Sequence, residues 1–247
     1  MPHPRLGQHF LIRGSVLERI AAAACPTPEN LAIEIGPGRG ALTEKLLKRA
    51  ARVIAIEVDP YLAGFLEHKF AGEPRLQVVR ADVLETDLAQ WGHAAIAGNL
   101  PYYITSPILE KTVRLRFPRA VFLVQKEVAQ RLAAKPGSRD YGFLTVQTAV
   151  FAAARLLFEV KPAAFHPPPK VDSAVVLLEP RPADPAMGDA ARFLRFVGQC
   201  FRQKRKTIRN NLAGIYGKEA IEQWPEAGLR AEQIPFEGFA EMFQRLQ

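Results

Sequence analysis

At 247 residues, with 48% apolar and 23% charged side chains, the chain can bury a full core, and its composition excludes a disordered, fibrous or disulfide-stapled protein. No apolar run approaches a membrane span and the start, Met1-Pro2-His3-Pro4-Arg5, lacks the apolar core of a signal peptide, so a cytoplasmic protein without membrane contact is expected. The formal charge of +8 favours a polyanionic partner, nucleic acid above all.

In chain order, Ser15 with Glu18 three residues on has the spacing of a capping box and opens a predicted helix through Val16, Leu17 and Ile20 to Pro26. Leu31–Ile35 reads as a buried strand that breaks into Gly36-Pro37-Gly38-Arg39-Gly40. Residues 41–50 carry Leu42, Leu46 and Leu47 at helical spacing. Val53–Ile56 is a second strand ending in Glu57-Val58-Asp59-Pro60, with a helix expected from there to Phe70. Leu76–Val79 is a third strand ending at Asp82, Ala94–Ala97 a fourth, and Ala120–Gln125 a fifth. Strand and helix alternating at this pace predict an α/β fold with a parallel, doubly wound sheet. After a loop over 135–142 and a helix rich in Thr, Val and Ala, Arg155–Val160 and Ala174–Leu178 form a closing strand pair. Residues 180–185, with three prolines, read as a stiff linker between a large domain (1–180) and a small helical one (181–247). Cys25 and Cys200 are far apart without a ligand spacing, so reduced core thiols and no metal site are expected.

The chemistry concentrates at strand ends. Glycines between a strand and a helix let backbone approach a ligand closely, and Glu57 at the end of the next strand can accept from two ribose hydroxyls. Gly36, Gly38 and Ala41 also satisfy a dinucleotide fingerprint, so these residues alone leave a nicotinamide cofactor and S-adenosylmethionine both open. Asp82 is placed either to accept from an adenine amino group or to cap the segment after it. Beyond the fourth strand comes Gly98-Asn99-Leu100-Pro101-Tyr102. A carboxamide acceptor, a stiffened turn and an aromatic plate suit a planar base bearing an exocyclic amine. Such an amine is a poor nucleophile because its lone pair is delocalised. Acceptance of its hydrogens by Asn99 and by a backbone carbonyl near Leu100 would free that pair, and stacking on Tyr102 would steady the developing charge.

The motifs GQHFL, EIGPGRGALT, IEVDP, ADVLE, GNLPYYITSPIL, LVQKEVAQRL, FHPPPKVDSAVV and FRQKRKTIRNNL run in order from Gly7 to Leu212. Together they resemble the KsgA family of small-subunit ribosomal RNA adenine dimethyltransferases. The resemblance implies a Rossmann-like class I methyltransferase sheet with helices on both faces, and S-adenosylmethionine bound by His9, Leu11, Gly36, Gly38, Glu57, Asp82 and Asn99. His9 stands where many members have Asn. The resemblance further implies that Phe165 and Tyr102 sandwich a flipped base, and that two adjacent adenosines near the 3′ end of 16S rRNA are dimethylated during assembly of the small subunit. The densest basic run, with Arg202, Lys204, Arg205, Lys206 and Arg209, is expected to track RNA phosphates of the pre-30S particle, and a monomer is expected. Methylation of large-subunit rRNA, a non-catalytic assembly role and a nicotinamide oxidoreductase are the competing readings.

Overall fold

The computed structural model describes residues 9–115, 117–182 and 188–246. Gly7 and Gln8 of the first motif, and residues 183–185 of the expected linker, lie outside the described residues. The elements are β1 (Phe10–Leu11), α1 (Gly14–Ala24), β2 (Glu29–Ile35), α2 (Thr43–Leu46), β3 (Ala50–Glu57), α3 (Pro60–Lys69), β4 (Leu76–Arg80), β5 (Ala95–Asn99) and α4 (Thr105–Val113). They continue with β6 (Ala120–Gln125), α5 (Lys126–Leu132), α6 (Phe143–Ala149), β7 (Ala152–Val160), β8 (Phe165–His166) and β9 (Ser173–Pro180). Last come α7 (Ala190–Cys200), α8 (Ile208–Tyr216), α9 (Lys218–Glu222) and α10 (Phe236–Gln244).

The main sheet has the order β4-β3-β2-β5-β6-β9-β7, with β2 to β6 paired in parallel and β9 antiparallel to β6. From β2 the chain moves outward through β3 and β4, then returns to place β5 on the other side of β2. That reversal makes the carboxyl ends of β2 and β5 the switch point, where doubly wound sheets open a crevice. Gly98 lets the two strands meet there. It pairs with Ile35, and a Cβ at position 98 would stand 2.5 Å from the Ile35 carbonyl oxygen.

Three local expectations are corrected. Helix α1 begins at Gly14 behind Arg13 with no side-chain cap, and Glu18 turns instead to Arg49, 2.7 Å away, so an ion pair displaces the capping box. The helix expected over 41–50 shortens to α2, because Ala50 already belongs to β3. The chain also divides differently. One unit takes residues up to Ala129 with Ala154–Pro180, and the other takes Gln130–Ala153 with residues from Arg181 on. Residues 130–153 fall in the second unit, where Val146 and Val150 bury in one apolar core with Phe193, Phe196 and Phe239. Asp59 caps α3 by accepting from the Tyr61 and Leu62 amides, with Pro60 preset at the first helical position. Cys25 and Cys200 are free and buried, as expected.

One polar side chain lies deep in the sheet unit. Glu34 on β2 is 1% exposed and accepts from the Thr43 hydroxyl at 2.6 Å, and burial pushes its carboxyl up to about 8. The folded chain therefore holds a proton that the unfolded chain releases, and stability falls as pH rises across that window.

Gly98→Ala should destabilise the protein by about 1–3 kcal/mol in denaturant melts, through overpacking against backbone. Gly14→Ala, where nothing lies within 4 Å, should not destabilise, and equal losses would refute the strand-contact account. Glu34→Gln keeps an acceptor for Thr43 and removes the titration. Its melting temperature should stay flat while that of the parent declines between the ordinary carboxylate value of about 4.3 and about 8. Parallel curves would show that Glu34 is ionised in the fold.

Candidate active site

The crevice at the switch point is a cavity of about 600 Å³, within the usual range of ligand sites. Its floor is the glycine turn. Gly36 and Gly38 adopt φ of +67° and +57°, left-handed values that a side chain would strain. Phe10 on β1 packs over the turn, since a Cβ on Gly38 would stand 3.1 Å from its ring. The Gly38 amide donates to Glu57 Oε2 and the Asp59 amide to Glu57 Oε1, each at 3.0 Å. Glu57, which also accepts from the Val58 amide, thus braces the turn and lines the cavity. Burial raises its carboxyl above the ordinary range, against the amides that lower it. Asp82 takes the capping task, with Oδ1 accepting from the Leu84 amide at 2.8 Å, and it also lines the cavity.

The other wall is the segment after β5. The Asn99 Nδ2 donates to the His9 carbonyl at 2.9 Å, and Asn99 Oδ1 accepts no hydrogen bond among the described residues. The carboxamide is therefore locked with its acceptor free. The Leu100 amide donates to the Leu123 carbonyl at 3.0 Å, and the Leu100 carbonyl likewise accepts nothing among the described residues. The Tyr102 hydroxyl is 2.6 Å from Ser173 Oγ, which fixes the ring. Strand β1 pairs with β8, Leu11 opposite Phe165, and His9 Nδ1 lies 2.8 Å from the Pro167 carbonyl. Two motifs some 150 residues apart, |i−j| = 158 for that contact, are thereby stitched to the mouth of the crevice.

His9, Leu11, Gly36, Gly38, Glu57, Asp82 and Asn99 all line this cavity, and Leu100 and Tyr102 join them. Phe165 does not. It is 3% exposed and packs in the apolar core beneath β1, so in this structure it forms no second plate opposite Tyr102, and its neighbour His166 reaches the cavity instead. Phe165 belongs to one apolar cluster with Leu11, Ala164 and Val175. The His9 ring sits 5.9 Å from that of Tyr102, tilted by 32°. Sequence reasoning passed over Glu34, Tyr103 and His166 as lining residues. An acid within an apolar strand was the available signal for Glu34; the other two carried none.

Charge also bears on the ligand. Glu57, Asp59 and Asp82 line the cavity of a chain whose net charge is +8. Burial, then Asp82 and Glu57, hold the exposed Tyr103 hydroxyl above the usual phenol value. Such a lining suits a ligand bearing sulfonium and ammonium charges and opposes an anionic pyrophosphate. Among the described residues no group of His, Cys, Asp and Glu is arranged to hold a metal ion.

The basic run is a turn between α7 and α8 in the helical unit. Asn211 holds it, with Nδ2 donating to the Cys200 and Gln203 carbonyls and Oδ1 accepting from the Gln203 amide. Arg202, Lys204, Arg205, Lys206 and Arg209 are all exposed. Lys204 donates to the Arg139 carbonyl and Arg209 lies 3.7 Å from Glu222, whereas the other three side chains have no partner among the described residues.

Comparison with known proteins agrees with this geometry. The profile of the ribosomal RNA adenine dimethylase family matches residues 2–247. Ribosomal RNA small subunit methyltransferase A of Thermotoga maritima is 40% identical, over 97% of this chain and 84% of its own length. The protein of that name from Acidobacterium capsulatum is 41% identical, over 99% and 91%. Among solved structures, a dimethyladenosine transferase from Plasmodium falciparum superposes with a TM-score of 0.81 at 27% identity, over 96% of each chain. The 23S rRNA methyltransferase ErmE superposes at 0.74 with 30% identity, over 96% of this chain and 100% of that one. The match over nearly the whole length, on a chain that already carries the family's crevice, means that this protein belongs to the ribosomal RNA adenine dimethylase family.

Proposed function

We propose that this member of the rRNA adenine dimethylase family uses S-adenosylmethionine to dimethylate N6 of two adjacent adenosines near the 3′ end of 16S rRNA, on a maturing small subunit and as a monomer. The observation that carries the chemistry is the orientation of Asn99, whose amide is spent on the His9 carbonyl while its oxygen is free in the cavity. The residues that would hold the donor are the glycine turn, Glu57 for the ribose hydroxyls and Asp82 for the adenine amine. When bound, the donor supplies an electrophilic methyl group on a sulfonium.

The chain's own residues then have one task, which is to make an aromatic amine nucleophilic and aim it. Asn99 Oδ1 and the Leu100 carbonyl accept the two N6 hydrogens and draw the nitrogen towards pyramidal geometry. Tyr102, steadied by Ser173, stacks on the base and favours positive charge on it. The sulfur departs as a neutral thioether and the methylated nitrogen releases one proton to solvent, so a single N–H remains for Asn99 to hold and the same geometry serves the second transfer. The exposed basic turn supplies phosphate contacts.

The small subunit is favoured over the large one by the relatives at 40 and 41% identity, which carry the small-subunit name. ErmE, a 23S rRNA methyltransferase, is the solved structure that motivates the alternative. Incubating both purified subunits with the protein and the donor, followed by mass spectrometry of the rRNA, decides between them: dimethyladenosine in the large subunit alone would refute the proposed target.

Asn99→Ala should lower the methylation rate by about 100-fold or more, the scale of losing one positioned transition-state hydrogen bond, and leave subunit binding largely intact. Near-normal turnover would remove the acceptor role. Neutralising Arg202, Lys204, Arg205 and Lys206 together should weaken RNA binding and flatten its dependence on salt. An unchanged slope would exclude the turn as a contact surface.

A further inference from the structure

A second cleft, of about 140 Å³, opens in the helical unit, lined by Arg192, Arg195, Phe196, Tyr216, Phe243 and Leu246. Arg192 and Arg195 stand one turn apart on the exposed face of α7, Tyr216 ends α8 and Phe243 belongs to α10. The floor is rigid. Phe196 meets Tyr216 edge-on at 6.2 Å and Phe243 at 5.6 Å, and the Tyr216 hydroxyl donates to Gln199 Oε1. Among the described residues both guanidinium groups are exposed and unpaired, as are those of Arg202 and Arg205 in the basic turn. Arg49, Arg75, Arg119 and Arg245 each lie within 3.0 Å of a carboxylate, whereas Arg192 and Arg195 have no side-chain partner among the described residues. Both cations border the cleft without neutralisation, over an aromatic floor.

Helix α7 ends at Cys200, and the turn that follows it holds the unpaired Arg202, Arg205 and Lys206. Charge and continuity therefore point to one occupant, a polyanionic strand. Guanidinium forks match phosphate oxygens, and the partly exposed Tyr216 ring offers a face to a ribose or base.

We propose that this cleft is a nucleotide-binding site for rRNA: Arg192 and Arg195 clasp a backbone phosphate, and Tyr216 receives the attached sugar or base. The site extends the phosphate track of the basic turn along α7 and rests on the rRNA reading above. It is separate from the crevice in which methyl transfer takes place, so it contributes to affinity and register and not to the chemical step.

The test is a salt titration of binding to deproteinised small-subunit rRNA by the full chain and by Arg192→Gln/Arg195→Gln. Both variants should bind S-adenosylhomocysteine as the parent does, which serves as the check on folding. Loss of two phosphate contacts should make the log–log salt slope shallower by about 1.4 to 1.8. Tyr216→Leu should weaken binding with the slope unchanged, the mark of a stacking contact. A parental slope in the double variant overturns the proposal while leaving the methylation reading in place. Weakened binding to intact subunits but not to free rRNA also overturns it, because the cleft would then face a ribosomal protein. A parent that methylates the small subunit but binds no free rRNA overturns the proposal and leaves the methylation reading in place.

Discussion

The site depends on how closely β5 can lie against β2. At Gly98 the two backbones approach to a distance that excludes even a methyl group beside the Ile35 carbonyl. Because of this contact, the glycine turn after β2 and the Asn99 carboxamide after β5 face one another across a single crevice. A bulkier residue at position 98 would separate ligand floor from acceptor wall, whatever the chemistry of either. The α/β alternation creates the switch point, and this one absent side chain narrows it to working distance.

Around that frame the chain spends its polar groups in an ordered way. Backbone amides of the turn go to Glu57, the Asn99 amide goes to the N-terminal strand, and the Tyr102 hydroxyl goes to Ser173. Each bond immobilises a side chain, and the last two leave a lone pair or a ring face uncommitted. The acids gathered in the crevice contrast with the cations on the helical unit's basic turn. A cationic donor and a polyanionic acceptor substrate are thus matched by different surfaces of one basic protein.

Much of this was legible beforehand. Strand–helix alternation and the positions of Glu57, Asp82 and Asn99 at strand ends follow from periodicity and turn chemistry, and the structure brings those residues into one cavity. What periodicity could not reveal was tertiary competition. Ser15 loses its capping role because Arg49, distant in sequence, draws Glu18 into an ion pair. Residues 130–153 join the helical unit because their apolar faces find aromatic partners there. Phe165 packs in the apolar core while its strand pairs with β1, a contact between segments that no local pattern connects. Gly98 read as the start of the segment beyond the fourth strand, whereas it lies inside β5, since a close approach between strands leaves no trace in either strand alone.

The central claim is that one carboxamide oxygen aims the reacting amine. It is tested most directly by a crystal structure of the protein with S-adenosylhomocysteine and an RNA fragment carrying the target adenosine. The account predicts N6 of the extruded base at about 2.9 Å from Asn99 Oδ1, an ordinary N–H to O hydrogen bond, with Nδ2 still on the His9 carbonyl. A base bound with N6 away from Asn99, or a carboxamide turned so that Nδ2 faces the amine, would contradict it.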